Sequence, residues 1–284
     1  MLTLARKAEL ILLVLTFIWG STFVLVKIAL GYSSPFLFLA TRFFIATLVV
    51  RLIFADKYKA IPKETVRAGI ILGIFLFFGF AFQTLGLRLT SASKSAFITS
   101  IAFVLVPILA IFLTKDKPRG SSWLGIGLVL VGMYFLTLPE SQKFNVGDFL
   151  TLLCVAAFAL QIIYVEIYNK KYDTAQLLYI QLLTTCVLSI PSLFLFDKFQ
   201  FDLGSPLILT LLITSVLATS LVFYLQNKYQ QYTTATKAAI IYALEPVFAS
   251  IFAYFSFGET FAMVSLLGAG LIICGTLVSE LGKF

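Results

Sequence analysis

Ten apolar runs, each long enough to cross a lipid bilayer, leave this chain very few ways to fold. They lie at 9–30, 36–54, 66–88, 93–113, 121–138, 148–168, 175–196, 206–227, 235–256 and 261–280. Short polar breaks separate them, such as Gly31 to Pro35, Lys115 to Gly120 and Asn169 to Thr174. A helix needs roughly 20 apolar residues to span the hydrocarbon core. Lipid offers no partner to backbone N–H and C=O groups, so a spanning segment is a helix or part of a closed barrel. Barrel strands alternate over about 10 residues, whereas these runs are continuously apolar. The expected fold is an all-α integral membrane bundle of ten transmembrane helices. At 284 residues no length remains for a soluble catalytic domain. Only 12% of residues are charged, against about 25% in soluble domains.

Lysine and arginine orient the bundle. With the N-terminus inside, the inner loops and ends hold fourteen of them, including Arg6, Lys7, Lys115, Lys117 and Lys283, while the outer loops hold Arg88, Lys143 and Lys198. That bias fits an even number of spans with both termini inside. The net charge of +8 is then a topology device, and no nucleic-acid partner is expected. Arg6 and Lys7 precede a long apolar run without a small-residue cleavage site, so the first span is expected to remain as an anchor. The chain has no histidine, which excludes His-based acid–base chemistry and His-ligated metals. Cys154, Cys186 and Cys274 sit far apart in apolar runs and read as small hydrophobes. No metal, no cofactor and no enzymatic activity are expected.

An internal repeat is the most informative pattern. A shift of 143 residues lays Phe80, Gln83, Thr90, Ala92, Lys94, Ala96 and Ile98 on identical residues at Phe223, Gln226, Thr233, Ala235, Lys237, Ala239 and Ile241. The same shift aligns Gly125, Gly127 and Gly132 with Gly268, Gly270 and Gly275, while Pro107 meets Pro246 at a shift of 139. At 139, Trp19-Gly20 falls on Phe158-Ala159, Lys27 on Glu166 and Arg42 on Gln181. Residues 1–139 and 140–284 therefore read as two five-helix repeats in one membrane domain. An odd number of spans inverts the second relative to the first, the arrangement of secondary transporters with a midplane site.

Charges inside spans cost about 2.5–3.5 kcal/mol each and call for a partner or a wet cavity. Glu245 lies near the midplane of the ninth span, and Pro246 behind it frees the Tyr242 carbonyl. It reads either as a proton or substrate group or as a structural carboxylate tied to a neighbouring helix. Ala238, Tyr242, Glu245 and Ala249 form one helical stripe, and the repeat maps it onto Ser95, Thr99, Ala102 and Val106. Gln83 and Gln226 either hold a polar substrate or bridge helices. Trp19 beside Gly20 is too deep for an interfacial belt and reads as a cavity wall, a gate or plain packing. Gln161 is placed with the lining. Lys94 and Lys237 open the fourth and ninth spans, where a cation opposes the helix dipole. They either meet an anionic substrate at the two mouths or snorkel to headgroups. Arg42 needs a partner that the sequence does not name. The six spaced glycines read as packing faces, between the two halves or between two protomers of a homodimer.

Trp19-Gly20-Ser21, Arg42-Phe43, Thr-x-Ala-x before the fourth and ninth spans, Glu245-Pro246-Val247-Phe248 and Gly258-Glu259-Thr260 before a glycine-spaced last helix resemble the ten-helix EamA-type group of the drug/metabolite transporter superfamily. The resemblance spans essentially the whole chain. It implies an inner- or plasma-membrane permease with cytoplasmic termini, moving small metabolites by alternating access. Phe158-Ala-Leu-Gln161 lacks the tryptophan often found there in the family. The reading is a transporter of small polar metabolites such as amino acids. Its substrate cavity is lined by Trp19, Gln83, Thr99, Gln161, Gln226, Tyr242 and Glu245, with Lys94 and Lys237 at the mouths. A channel or a structural assembly factor is the alternative, and an intramembrane enzyme stands last. One midplane carboxylate permits proton coupling without demanding it.

Overall fold

The computed structural model describes residues 3–115, 118–137, 144–258 and 263–282. Lys117, Lys143, Lys283, Glu259 and the boundary between residues 139 and 140 lie outside them. The described residues form helices α1 (Leu4–Ala29), α2 (Pro35–Ile53), α3 (Lys63–Leu89), α4 (Ala92–Leu113) and α5 (Gly120–Thr137), then α6 (Val146–Asn169) and α7 (Thr174–Phe196). They continue with α8 (Ser205–Gln230), α9 (Ala235–Phe257) and α10 (Met263–Leu281). Eight of these are long and apolar enough to cross a membrane, and α5 and α10 contribute shorter apolar stretches. Large apolar side chains such as Phe44, Phe112, Phe194 and Phe255 point outward, as a lipid-facing surface requires.

The polar breaks stop and start helices by capping. Thr3, Ser91 and Thr234 each accept the amide three residues on, and Asn145 with Asp148 forms a reciprocal capping box. Each cap satisfies an amide that the first helical turn leaves unpaired. Asp197, at the end of α7, accepts the Phe36 and Leu37 amides and so caps α2 from across the bundle.

Two helices depart from the uniform spans read from the sequence. α9 is broken into α9a (Ala235–Tyr242) and α9b (Glu245–Phe257), with Ala243 and Leu244 between. Pro246 stands in the first turn of α9b, where its missing N–H costs nothing and its fixed φ suits a helix start. Its repeat counterpart Pro107 stays inside an unbroken α4. The centre of α8 widens into π turns over Ile213–Leu221. There Thr219 and Ser220 donate to the carbonyls of Thr214 and Ser215, five residues back, at 2.7 and 2.9 Å, so the hydroxyls follow the wider ladder.

The glycine repeat resolves into two roles. α5 packs along α10 with Gly125 against the Gly275 backbone and Gly132 against Gly268. A Cβ added at Gly125 or Gly275 would lie 2.6 Å from the other's carbonyl. The contact therefore lies within one chain, between the fifth helices of the two halves. Gly127 and Gly270, expected on the same face, meet nothing within 4 Å because they point away from the seam. Gly132→Leu will accordingly lower stability by about 1–3 kcal/mol through overpacking, while Gly127→Leu will leave it unchanged. Thermal unfolding in detergent, run on both variants, checks the contrast.

The interior holds a small apolar core of Ala68, Leu72, Val165 and Leu177 and two large ones. One gathers Phe23, Phe43, Leu76 and Phe80 with Leu178 and Phe223. The other gathers Leu12, Leu15, Phe103 and Val106 with Ile163 and Tyr242. Trp19 and Phe158, equivalent in the repeat, pack against both. The seam between the cores holds the cavity described next.

Candidate functional site

Six helices supply the cavity wall: α1, α3, α4, α6, α8 and α9. The space it encloses is about 60 Å³, room for a few waters and below the roughly 300–1,000 Å³ of an open small-molecule site. The structure brings all seven expected lining residues to it: Trp19, Gln83, Thr99, Gln161, Gln226, Tyr242 and Glu245. The sequence reading omitted Thr22, Phe23, Phe103 and Ile162, and did not place Phe80, Phe158 or Phe223 in the lining, although all seven line the same space. Helical spacing could have found several of them, since Phe23 follows Trp19 by one turn and Phe103 follows Thr99 by one turn.

Aromatic rings dominate the wall. Trp19 lies 5.4 Å from Phe223 and 5.3 Å from Tyr242, Phe80 lies 5.4 Å from Phe158, and Phe103 lies 5.8 Å from Tyr242. Most of these pairs are tilted or edge-on, the arrangement ring quadrupoles favour. Trp19 Nε1 donates to the Ala218 carbonyl in the π stretch at 3.3 Å, which fixes the indole. Tyr242 donates to Gln230 at 3.2 Å, and Gln230 donates to the Ile162 carbonyl at 2.7 Å, so a hydrogen-bonded chain holds the phenol.

Polar groups facing this wall divide into satisfied and unsatisfied. Gln83 donates to Thr99 at 3.2 Å, which is the bridging role. Gln161 Nε2 and Gln226 Oε1 are buried with no hydrogen-bond partner. A buried amide left unpaired costs about 1–3 kcal/mol, and both of these belong to lining residues. Glu245 is the one charged residue of the lining. None of the ion pairs among the described residues involves it, which argues against a carboxylate tied to a neighbouring helix. Gly20 explains its position. A Cβ there would lie 2.6 Å from Phe248 Cβ and 3.1 Å from the Glu245 carbonyl, so only glycine lets α1 settle on the break in α9.

Lys94 and Lys237 correct the expectation of an anionic substrate or lipid headgroups. Lys94 Nζ sits 2.6 Å from Asp148 Oδ2, and Lys237 Nζ sits 3.0 Å from Glu9 Oε1. Protein carboxylates offset the cations at these helix starts. Neither lysine lines the cavity. Glu9 and Asp148 stand 139 residues apart, so the two pairs are equivalents in the repeat. They lie near opposite ends of α1. Lys27, near the end of α1, donates to the carbonyls of Leu87 and Thr90 at 2.8 and 2.7 Å, and Thr90 in turn donates to Asp148 at 2.7 Å. Glu9 lies eighteen residues earlier on α1, about 27 Å away at 1.5 Å per residue, and Trp19 stands between.

Arg42 and Glu166, also buried, do not line the cavity. Arg42, 1% exposed, donates through Nε to Thr219 at 2.9 Å and lies 4.6 Å from the Phe80 ring centre, while one of its Nη atoms is buried without a hydrogen-bond partner. Its counterpart Gln181 accepts from Asn227 at 3.4 Å. Glu166, counterpart of Lys27, accepts the Ala235 amide at 2.7 Å and the Lys170 ammonium at 2.6 Å. A cation thus holds carbonyls at one hairpin, and an anion holds an amide at the equivalent one.

A helical bundle with an internal cavity, walled by residues of both halves, defines a multi-pass membrane protein. The EamA-like transporter family matches twice, over residues 6–138 and 145–281. The chain belongs to that family. It is 37% identical to an uncharacterized transporter of Archaeoglobus fulgidus over 96% of this chain and 86% of that one. It is 28% identical to an S-adenosylmethionine uptake transporter of Rickettsia bellii over 83% and 80%. A solved crystal structure shares its fold at a TM-score of 0.79, covering 97% of this chain and 98% of that one at 18% identity.

Proposed function

We propose that this protein is a secondary active or facilitative transporter, and not an enzyme, that carries a small polar metabolite through the central cavity by alternating access. The observation that carries the reading is the cavity itself, walled by repeat-equivalent residues of both halves, Trp19 with Phe158 and Gln83 with Gln226. In this reading the five-helix repeats are inverted, both termini are cytoplasmic, and Lys94–Asp148 and Lys237–Glu9 are the outer and inner closures, one of which parts at a time. Gln161, Gln226 and Glu245 hold the polar groups of the cargo while the rings cover its body. Thr99 supports the site by fixing Gln83.

S-adenosylmethionine, the cargo named for the rickettsial relatives, is the first candidate to assay here, with amino acids and purines beside it. Purified protein in liposomes preloaded with unlabelled cargo should take up labelled cargo by saturable counterflow. Conductive, non-saturating flux without counterflow would replace the carrier by a channel. Absence of flux for a broad panel would return the protein to a structural role.

A further inference from the structure

We propose that Arg42, which lies outside the cavity wall, is a positioning residue for Trp19 and acts on it through the π stretch of α8. The inference rests on the reading of the cavity as the cargo site and adds what sets its central ring. Trp19 Nε1 donates to the Ala218 carbonyl at 3.3 Å. In an α-helix that carbonyl belongs to the amide four residues on. Here the Val222 amide goes to Leu217 and Thr219 instead, so the widened ladder leaves the Ala218 carbonyl open to the indole. The π turn makes the acceptor, and whatever keeps the turn wide decides where the ring sits.

Two ties from α2 keep it wide. Arg42 Nε donates to the Thr219 hydroxyl at 2.9 Å, and that hydroxyl donates to the Thr214 carbonyl, five residues back, at 2.7 Å. Ser220 bonds the carbonyls of Ala46 and Ser215 at 3.3 and 2.9 Å. A charged donor makes the stronger tie, and Arg42 is 1% exposed, so water does not compete for it. Thr219 follows Ala218 directly. One peptide unit therefore joins the acceptor of the indole to the side chain that Arg42 holds. The same guanidinium lies 4.6 Å from the ring centre of Phe80, which is itself on the wall. Without the Arg42 tie the stretch relaxes toward α geometry, the Val222 amide returns to Ala218, and the indole loses its acceptor.

Trp19 reports on this by its own fluorescence. The chain has two tryptophans, and Trp123→Phe removes the other, which is exposed on α5. In that background Thr219→Val, nearly the same shape without the hydroxyl, should at least double the acrylamide quenching constant of Trp19. Arg42→Gln should do the same, and Arg42→Lys should fall between it and the parent. Arg42→Gln combined with Thr219→Val should add nothing further. Thr185→Val is the control: it removes a buried hydroxyl that bonds the Gly73 and Gln181 carbonyls, off the π stretch, and should leave the quenching unchanged. Thr219→Val protein quenched like the parent overturns the proposal. Equal quenching of Thr185→Val and Thr219→Val overturns it too, because the change would then be a general loosening. If Arg42→Gln is lost on purification, Thr219→Val and Arg42→Lys decide. Counterflow of labelled S-adenosylmethionine, the probe cargo, gives a separate reading: Thr219→Val should raise the half-saturating concentration at least threefold and change the maximal rate less than twofold. No counterflow even in the wild type overturns the cavity as a site for that cargo, and the quenching then decides the positioning by itself.

Discussion

Alanine at Asp148 will destabilise the protein by about 3–5 kcal/mol, the usual cost of removing one partner from a buried ion pair. The Asp148 side chain is 0% exposed and that of Lys94 is 11% exposed, so water cannot rescue the stranded ammonium. The carboxylate also accepts the Thr90 hydroxyl at 2.7 Å and the Asn145 amide at 2.8 Å, so its loss opens the capping box of α6. Asparagine keeps the cap and loses the charge, and will fall between wild type and alanine. Combining Lys94→Met with Asp148→Ala will recover part of the loss, with a coupling of about 1–3 kcal/mol between the sites. The repeat-equivalent pair behaves differently because its side chains are 34% and 17% exposed. Glu9→Ala will cost about 1 kcal/mol or less, as partly hydrated pairs do. Thermal melts of the single and double variants measure the set. Equal losses at Asp148 and Glu9 would show that burial does not separate the two pairs. Under the carrier reading the asymmetry has a kinetic consequence: the outer end is held shut more strongly, so neutralising Lys94–Asp148 will change the balance of the two open states more than neutralising Lys237–Glu9.

What the sequence made legible is what local chemistry decides. Ten apolar runs appear as helices because length and hydrophobicity act residue by residue, and the caps at Ser91, Asn145 and Thr234 sit in the polar breaks. The seven residues selected for the cavity come together because two copies of one motif set, Gln83 with Gln226 and Thr99 near Tyr242, face each other across the seam. What escaped was what depends on partners far along the chain. Lys94 and Asp148 are brought together only by the packing of α4 on α6, and Arg42 finds Thr219 only through a π widening that no composition signals. Gly127 and Gly270 share the spacing of their neighbours and differ only in which way the helix turns. Pro107 and Pro246 show the limit of repeat arithmetic: similar residues at equivalent depth, one inside a continuous helix and one starting a new helix.

Valine at Gly20 will reduce transport at least tenfold while costing about 1–3 kcal/mol in stability, the range for overpacking a close contact. The argument lies in what surrounds the missing side chain. A Cβ at position 20 would lie 2.6 Å from Phe248 Cβ, 3.0 Å from the Ala249 amide nitrogen and 3.1 Å from the Glu245 carbonyl oxygen. Two of these are backbone atoms of α9b and the third is bonded directly to the backbone, so no side-chain rotation relieves them. α1 cannot retreat freely, since Lys27 fastens one end to the carbonyls of Leu87 and Thr90 and Trp19 bonds Ala218 on its other side. The strain therefore falls on α9b, whose first residue is Glu245 and whose only covalent link to α9a is the Ala243–Leu244 break. α9b will move outward and carry Glu245 away from Trp19 and Tyr242. The stability loss stops there because α9b still buries its apolar face; function changes strongly because a site displaced by about 1 Å can lose about a hundredfold in a precisely aligned process. Gly127→Ala is the control, since a Cβ there meets nothing within 4 Å, and it should transport as wild type does. Counterflow rates set beside thermal melts decide the matter: Gly20→Val protein that melts near wild type and exchanges cargo at the full rate would show that the break in α9 does not depend on α1.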